Sequence, residues 1–492
     1  MRSVSKKFYQ KFLKLSVECW VILIILLSTI LVISLPYIIR NSNILVGDES
    51  YYHLKIASLI QERGITNFDP LSYGGRQILT PLGWPFVLAK ISSFLNISLE
   101  LTSKLIPFIF GILTVILFYY LLKNIKVEKR IRTISTLVFI FSPIFIYLFS
   151  TSNYYFIPLF LNLLAFYFLL KDKKILTTIL IALTTLFGII HPLVGLIAVL
   201  IYTLIKNRKS LPWFYITLAI TLILILLKYV PVLIKFGLPD IFMIDNLPVH
   251  QQLFSDLGGK ISLSIFALIL AFIGIVVTWK KKQDYITTHI IFIILFILSL
   301  FYIPILIYLN LLLAILVAFG VLKLIQRRWE SKFIKNFTIL ILSLGLIFSG
   351  LSYAKQTADS LPNKEIVEGL SLIGTDSEQK TVFSHYSNGY WINYLAKKSN
   401  VMDPLFAYAP NLQQVHEDSQ NLFYSRDLKN STKIIERYNI GYILITPEMK
   451  EGKVWHEDEE GLLFLLEFSK NFRSVYAQKG VEVWEIRNLT TS

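Results

Sequence analysis

Gly47-Asp48-Glu49-Ser50-Tyr51-Tyr52-His53 sets two carboxylates, two phenols and an imidazole close together in the chain. The residues that follow, Leu54 to Ile60, carry apolar side chains at helical spacing. The segment therefore predicts an amphipathic helix suited to lie on a membrane surface. In that register Glu49, Tyr52, His53 and Ile56 share a face. Asp48, at the head of such a helix, has two chemical uses. As an N-cap it satisfies backbone N–H groups, while Glu49 offsets the helix dipole. As a partly dehydrated carboxylate it has a raised proton affinity and can take a proton from a hydroxyl. One residue can do both, so Asp48 and Glu49 are the candidate catalytic residues. Tyr52 and His53 are candidates to orient the base or to bind substrate.

Further polar groups lie downstream. Arg76 precedes Leu79-Thr80-Pro81-Leu82-Gly83-Trp84-Pro85, an extended or turning segment because of its prolines. Its guanidinium suits bidentate contact with a phosphate, or it is a solvated loop arginine. Asp240, Asp245, His250 and Asp256 are polar groups of a second long loop, and of these Asp245 and His250 are substrate-binding candidates. His191 before Pro192 is most simply a histidine at a helix end, and it is also a substrate-binding candidate. No spacing of His, Cys, Asp and Glu makes a metal site.

The elements that must position these groups follow from composition. Of 492 residues, 54% are hydrophobic and 16% charged, whereas soluble chains carry about 25% charged residues. Apolar runs of roughly 17 to 25 residues, enough to cross the hydrocarbon, recur along the chain. They predict about eleven spans, near 16–38, 101–122, 131–149, 154–170, 175–189, 192–205, 212–230, 261–279, 286–301, 303–322 and 336–353. The net charge of +16 comes largely from Lys and Arg in short loops between the runs, the pattern of membrane insertion rather than of nucleic-acid binding. Their alternation puts the N-terminus in the cytoplasm and the residues after about Lys355 outside. The single cysteine, Cys19, excludes an internal disulfide. The first apolar run is too long, and lacks the cleavage pattern, for a removable signal.

Two outer segments, 40–100 and 231–260, are longer than connectors need to be. The chain thus divides into a multi-span region, 1–355, and a soluble extracytoplasmic domain, 356–492. In the latter, strands at 381–384, 400–403, 441–445, 472–477 and 481–486 alternate with helical patterns at 388–396, 411–424, 428–438 and 459–469. This predicts a small α/β domain with a mostly parallel sheet. Only His191 and Lys228 are notable ionisable groups in the spans, and no pair of broken helices from inverted halves is evident, which disfavours a transporter.

Asp48-Glu49 with Tyr52-His53, and the Tyr73-Gly74 and Pro81-Leu82-Gly83 segments, resemble the membrane glycosyltransferases with the C-type fold (GT-C). That superfamily includes protein mannosyltransferases, aminoarabinose transferases of lipid A and the oligosaccharyltransferase catalytic subunit. Val382 to Ile392 looks like the oligosaccharyltransferase segment containing Trp-Trp-Asp-Tyr-Gly, with Gly389-Tyr390-Trp391-Ile392 agreeing well. The resemblance makes Tyr390 and Trp391 substrate-binding candidates. Two departures matter. The family aspartate that reads an asparagine acceptor falls at Ser387, and Ser150-Thr151-Ser152-Asn153 has no acid where the oligosaccharyltransferase holds its metal. Basic candidates for a lipid phosphate are Arg76, Lys235 and Lys260.

The resemblance implies a polytopic α-helical membrane enzyme that moves a sugar from a polyprenyl- or dolichyl-phosphate carrier to a glycan, lipid or protein acceptor on the outer face. Asp48 would be the base of an inverting transfer. Catalysis would need no cofactor, a divalent-metal mechanism is disfavoured, and no nucleic acid is involved. The alternatives are an inactive relative that binds a lipid-linked glycan or a protein partner, and an oligosaccharyltransferase-like enzyme. Asn96-Ile97-Ser98 and Asn430-Ser431-Thr432 are glycosylation triplets expected outside.

Overall fold

The computed structural model describes residues 2–206, 208–237, 252–254, 259–280, 282–457 and 459–487. Asp240, Asp245, His250 and Asp256, named above, lie outside the described residues. Among the described residues five helices are long and apolar enough to cross a membrane: Glu18–Arg40, Leu99–Asn124, Arg208–Phe236, Ile303–Gln326 and Lys332–Ala358. The run expected as one span at 131–149 is instead two helices, Lys129–Ile140 and Pro143–Ser150, bent by 61°. Pro143 explains the break, since it has no N–H to continue the first helix and suits the first turn of the next. Ser142 caps the second helix, accepting from the Phe145 N–H at 3.2 Å. Shorter apolar helices run Phe156–Leu170, Lys174–Phe187, Ile190–Ile205, Ile265–Trp279 and Tyr285–Phe301. The chain is built as an integral membrane protein.

It folds as two compact units. The first comprises Met1–Asn43, Ser103–Val230 and Asp245–Asp359, and holds most of the apolar helices. Its tightest packing joins Ile265–Trp279 to Leu306–Gln326. A Cβ on Gly274 would fall 1.9 Å from the Leu316 carbonyl oxygen, and one on Gly320 would fall 2.2 Å from that of Leu270. Small residues that let two backbones touch are what holds helices together where lipid offers no hydrophobic drive.

The second unit comprises Ile44–Thr102, Pro231–Ile244 and Ser360–Ser492. The first long loop, Ile44–Thr102, therefore folds with the C-terminal residues. Strands β1 (Phe68–Asp69) and β2 (Arg76–Gln77) form a small antiparallel pair. A five-stranded sheet contains β3 (Thr381–Phe383), β4 (Ser399–Asn400), β5 (Ile440–Ile445), β6 (Phe472–Gln478) and β7 (Val481–Ile486), in the order β4-β3-β5-β7-β6. The pairs β4/β3 and β3/β5 are parallel; β5/β7 and β7/β6 are antiparallel. The sheet is thus mixed rather than mostly parallel. The Lys479-Gly480 turn, with φ of 45° and 80°, folds β6 directly back on β7, as two positive-φ residues do in a tight hairpin. The strand expected over 400–403 ends at Asn400. Asp403 leaves it because its Oδ1 accepts the Leu405 N–H at 2.9 Å, closing a local turn. Phe383, Ile443, Ile445, Trp455, Leu462 and Leu422 form the buried core on this sheet.

Gly320→Leu or Gly274→Leu forces the two helices apart. In detergent each should lower the thermal unfolding midpoint by at least about 3 °C, since overpacking costs about 1–3 kcal/mol. An unchanged midpoint would show that this contact carries no stability.

Candidate active site

The helix Asp48–Arg63 carries the acidic motif. Gly47, at φ 82°, is its cap residue, so Asp48 occupies the first helical position rather than the cap. Its Oδ1 still accepts a terminal donor, the Glu49 N–H, at 3.0 Å. Gly47 N–H in turn donates to Ser360 Oγ at 3.2 Å. The helix is not a surface-lying amphipath. Ser50 through Ala57, with Leu59 and Ile60, are buried, because Gly83–Leu95 packs on one side and the Gly389–Ala396 segment on another. Asp48 and Glu49 themselves are half-buried.

Tyr52, His53, Tyr390 and Trp391 are buried. The Tyr52 and Tyr390 rings meet with centroids 5.1 Å apart, and Tyr52 also meets His53 edge-on at 5.4 Å. The Tyr52 hydroxyl hydrogen-bonds Thr80 Oγ1. Burial raises the Tyr390 phenol well above its ordinary range, and the charges of Asp403, Asp48 and Glu49 add to it. Tyr390 therefore stays protonated within the electrostatic reach of both acids. Trp391 Nε1–H is buried with no partner among the described residues.

Beneath this surface lies an ionic cluster that the sequence reading did not single out. Lys55 Nζ sits 2.6 Å from Asp69 Oδ2 and 3.9 Å from Asp403 Oδ2, and donates to Asn393 Oδ1 at 3.0 Å. Arg76 Nη1 lies 3.6 Å from Asp403 Oδ1, and the guanidinium donates to the Leu405 and Ala407 carbonyls. Ser72 Oγ–H donates to Asp403 Oδ2, and Tyr73 O–H donates to the Asp403 carbonyl at 2.7 Å. Lys55, Asp69, Arg76 and Asp403 are each at most 5% exposed. Lys55 is the signal that could have revealed the cluster: a cation in the middle of the apolar stripe Leu54-Lys55-Ile56-Ala57. Arg76 is accordingly neither a solvated loop arginine nor an open phosphate arm, because its donors are used inside the chain.

Asn393 and Asn400 extend the cluster to the backbone. Asn393 Nδ2 donates to the Leu71 carbonyl at 2.9 Å, and Asn400 Nδ2 donates to the Gly389 carbonyl at 3.0 Å. A Cβ on Gly389 would lie 2.5 Å from the Met402 carbonyl oxygen. Only glycine lets the Tyr390-Trp391 turn approach so closely.

The other sequence candidates lie elsewhere. His191 belongs to the first unit, where its Nδ1 lies 2.8 Å from the Tyr308 hydroxyl and its carbonyl accepts from Asn162 at 3.0 Å. Lys235 and Lys260 have exposed side chains. Ser387 Oγ accepts from Lys453 Nζ at 2.8 Å and lies 2.9 Å from His385 Nδ1. The Ser150–Asn153 turn is closed by Asn153 Nδ2, which donates to the Tyr147 and Leu148 carbonyls. Its hydroxyls and amide do not fit the carboxylate-rich donor set that a hard divalent cation requires.

With this geometry the chain superposes on solved membrane glycosyltransferases. Archaeal oligosaccharyltransferase AglB from Archaeoglobus fulgidus, in complex with an inhibitory peptide and a dolichol-phosphate, matches with a TM-score of 0.63 at 13% identity, over 98% of this chain and 75% of that one. ArnT from Cupriavidus metallidurans, bound to undecaprenyl phosphate, matches at 0.58 and 10% identity, over 95% of this chain and 98% of that one. Mycobacterial arabinofuranosyltransferase AftD matches at 0.57 and 12% identity, over 95% of this chain and 40% of that one. The chain has the fold of the GT-C glycosyltransferases. No protein-family model matches it, and no curated protein matches its sequence.

Within this GT-C fold the acidic helix and the Tyr390-Trp391 turn share one compact unit, held by the charged cluster. Removing one partner of a buried ion pair leaves the other charge unpaired. Lys55→Met should therefore destabilise by about 3 kcal/mol or more, read as a large fall in the midpoint of thermal unfolding. Lys55→Met/Asp69→Leu should recover much of it. A double variant no better than the single one would mean that the ion pair is not the source.

Burial lowers the His53 pKa to about 3. Folded His53 is neutral, whereas unfolded His53 takes a proton as pH falls below about 6.5. Stability is therefore full above that pH and is lost as pH falls toward 3. The His53→Gln protein should lose less stability between pH 6.5 and 4.5, its slope shallower by up to about 1.4 kcal/mol per pH unit. Equal slopes in denaturation at graded pH would contradict a buried neutral imidazole. His385, also lowered to about 3 by burial and then by Lys453, accounts for part of the remaining slope.

Proposed function

We propose that the protein transfers a sugar from a polyprenyl-phosphate carrier to an acceptor hydroxyl on the outer face of the membrane. The observation that carries this reading is the placement of Asp48. It heads a buried helix whose neighbours are a protonated tyrosine and a second carboxylate, in a chain with the GT-C fold. Neighbours of that fold bind dolichol-phosphate and undecaprenyl phosphate. In this reading eleven apolar segments span the bilayer, the N-terminus is cytoplasmic, and the loop 44–102 and residues 360–492 stand outside, as the loop charges require.

Asp48 accepts the acceptor's hydroxyl proton as its oxygen bonds to the anomeric carbon. The bond from that carbon to the phosphate oxygen breaks, and its electron pair leaves with the phosphate. Attack opposite the leaving group inverts the anomeric centre through an oxocarbenium-like transition state. Glu49, next to Asp48, orients the base or binds the sugar, and Tyr390 offers a neutral hydroxyl to the sugar. Arg76 takes a positioning role through Asp403, which leaves the exposed Lys235 and Lys260 as candidates for the lipid phosphate. At Ser387 a lysine ammonium and a hydroxyl stand where the oligosaccharyltransferase resemblance expects a carboxylate. This favours an acceptor other than the asparagine amide.

Asp48→Asn keeps the size and the N–H contact but cannot accept a proton. Transfer of labelled sugar from polyprenyl phosphate by purified protein should fall at least about 100-fold, with the unfolding midpoint unchanged. Transfer at the wild-type rate would remove Asp48 as base. The sugar and acceptor follow from glycan analysis of cells with and without the protein.

A further inference from the structure

Some thirteen residues along the helix from Asp48, roughly 20 Å at 1.5 Å per residue, the second unit opens into a cleft of about 600 Å³. Its walls come from four places in the chain: Gln61 at the end of the Asp48 helix, Ser93 of Gly83–Leu95, Asn96 and Ser98 of the following turn with Glu100, and Tyr394 of the C-terminal residues. Beside the apolar Ile97 and Leu99, this lining holds hydroxyls, carboxamides, a phenol and one carboxylate, and neither lysine, arginine nor histidine. An anion would meet only Glu100. An apolar ligand would bury polar groups without compensation. A ligand dense in neutral donors and acceptors satisfies both conditions.

The groups are also arranged to serve one. Gln61 spends its amide N–H groups on Ser93 Oγ at 3.1 Å, Ser92 Oγ at 3.2 Å and the Ala89 carbonyl at 3.3 Å. Its carbonyl oxygen has no partner among the described residues. Asn96, left-handed at φ 53° and exposed, has a side-chain amide with no partner there either. Tyr394 donates its hydroxyl to Glu100, which fixes the carboxylate, and its half-buried ring is steadied edge-on by Tyr51 at 6.0 Å. Acceptor, donor, charged acceptor and ring thus converge on one space. Leu99 begins the apolar helix that ends at Asn124, so the cleft stands where the chain enters a span.

We infer that this cleft is a second carbohydrate site. It would bind a neutral sugar of an extended glycan, held apart from the sugar transferred beside Asp48. The inference rests on the proposed function only for the bound glycan's role; the binding itself stands on the lining. The glycan has two possible sources, a lipid-borne headgroup and a free chain.

The test uses the full chain in detergent, with Asp48→Asn as background so that nothing turns over. The probes are neutral trisaccharides of glucose, mannose and N-acetylglucosamine, a glucuronate trisaccharide, and the best neutral trisaccharide carried on an alkyl chain. Ser93→Leu fills the cleft. Asn96→Gly removes the amide while keeping the left-handed backbone. Both positions are exposed, and an unchanged unfolding midpoint certifies the fold. A neutral trisaccharide should bind, and each variant should weaken it at least ten-fold. Tighter binding of the alkyl-borne form assigns a lipid headgroup; equal binding assigns a free glycan. The inference is overturned if no neutral trisaccharide binds at millimolar concentration, if the glucuronate form is preferred, or if neither variant changes affinity. Trisaccharide binding by a protein whose wild-type form shows no sugar transfer counts against the proposed function alone. Transfer without cleft binding counts against this site alone.

Discussion

Asp403 is the group on which the second unit turns. Its carboxylate faces Lys55 and Arg76 and accepts from Ser72, while its carbonyl accepts from Tyr73. All the charges of this cluster are buried, and a buried charge is tolerated only when paired and hydrogen-bonded. Two cations meet two carboxylates, and amides from Asn393 and Asn400 complete the bonding. Such a cluster contributes little net stability over an apolar core, but few alternative arrangements satisfy it. It selects one register between the helix that begins at Asp48 and the turn that carries Tyr390.

That selection has chemical value. A general base works only when its partner atoms are held in a narrow range of positions. Asp48 sits two turns before Lys55 on the same helix, so fixing Lys55 fixes the direction in which the helix end points. On the other side, Gly389 packs against the Met402 carbonyl and Asp403, which fixes Tyr390. The surface that carries the candidate residues is thus set from below, by buried residues. Arg76 illustrates the division. Its type and its loop suggested a substrate contact, and its surroundings turn it into part of the frame.

What the sequence disclosed follows from the range of the forces involved. Apolar runs and their flanking charges are local and are read directly by the bilayer, so most apolar helices lie where the runs lie. The hairpin at Lys479-Gly480 and the buried strand Ile440–Ile445 were equally legible, since turn chemistry and β-branched runs act over a few residues. The helix after Asp48 was legible as a helix but not as a buried one. Its amphipathic pattern says which face is apolar, not what covers the other face, and here Lys55 donates to Asn393, 338 residues away. The bend at Pro143 was open to the proline rule but hidden inside an apolar run. The two-unit division was out of reach, because a loop bounded by spans gives no local sign that it belongs with the C-terminal residues.

The same long-range pairing bears on how the protein is made. Residues 44–102 leave the ribosome long before Asp403 and Asn393 exist, and the bonds that bury Ser72 and Arg76 connect positions 331 and 329 residues apart. Until the end of translation Lys55 has Asp69 but neither Asn393 nor Asp403, and Arg76 lacks Asp403 and the Leu405 and Ala407 carbonyls; dehydrating Arg76 without them would be costly. The cluster that locks this unit is therefore complete only once the last quarter of the chain has been made.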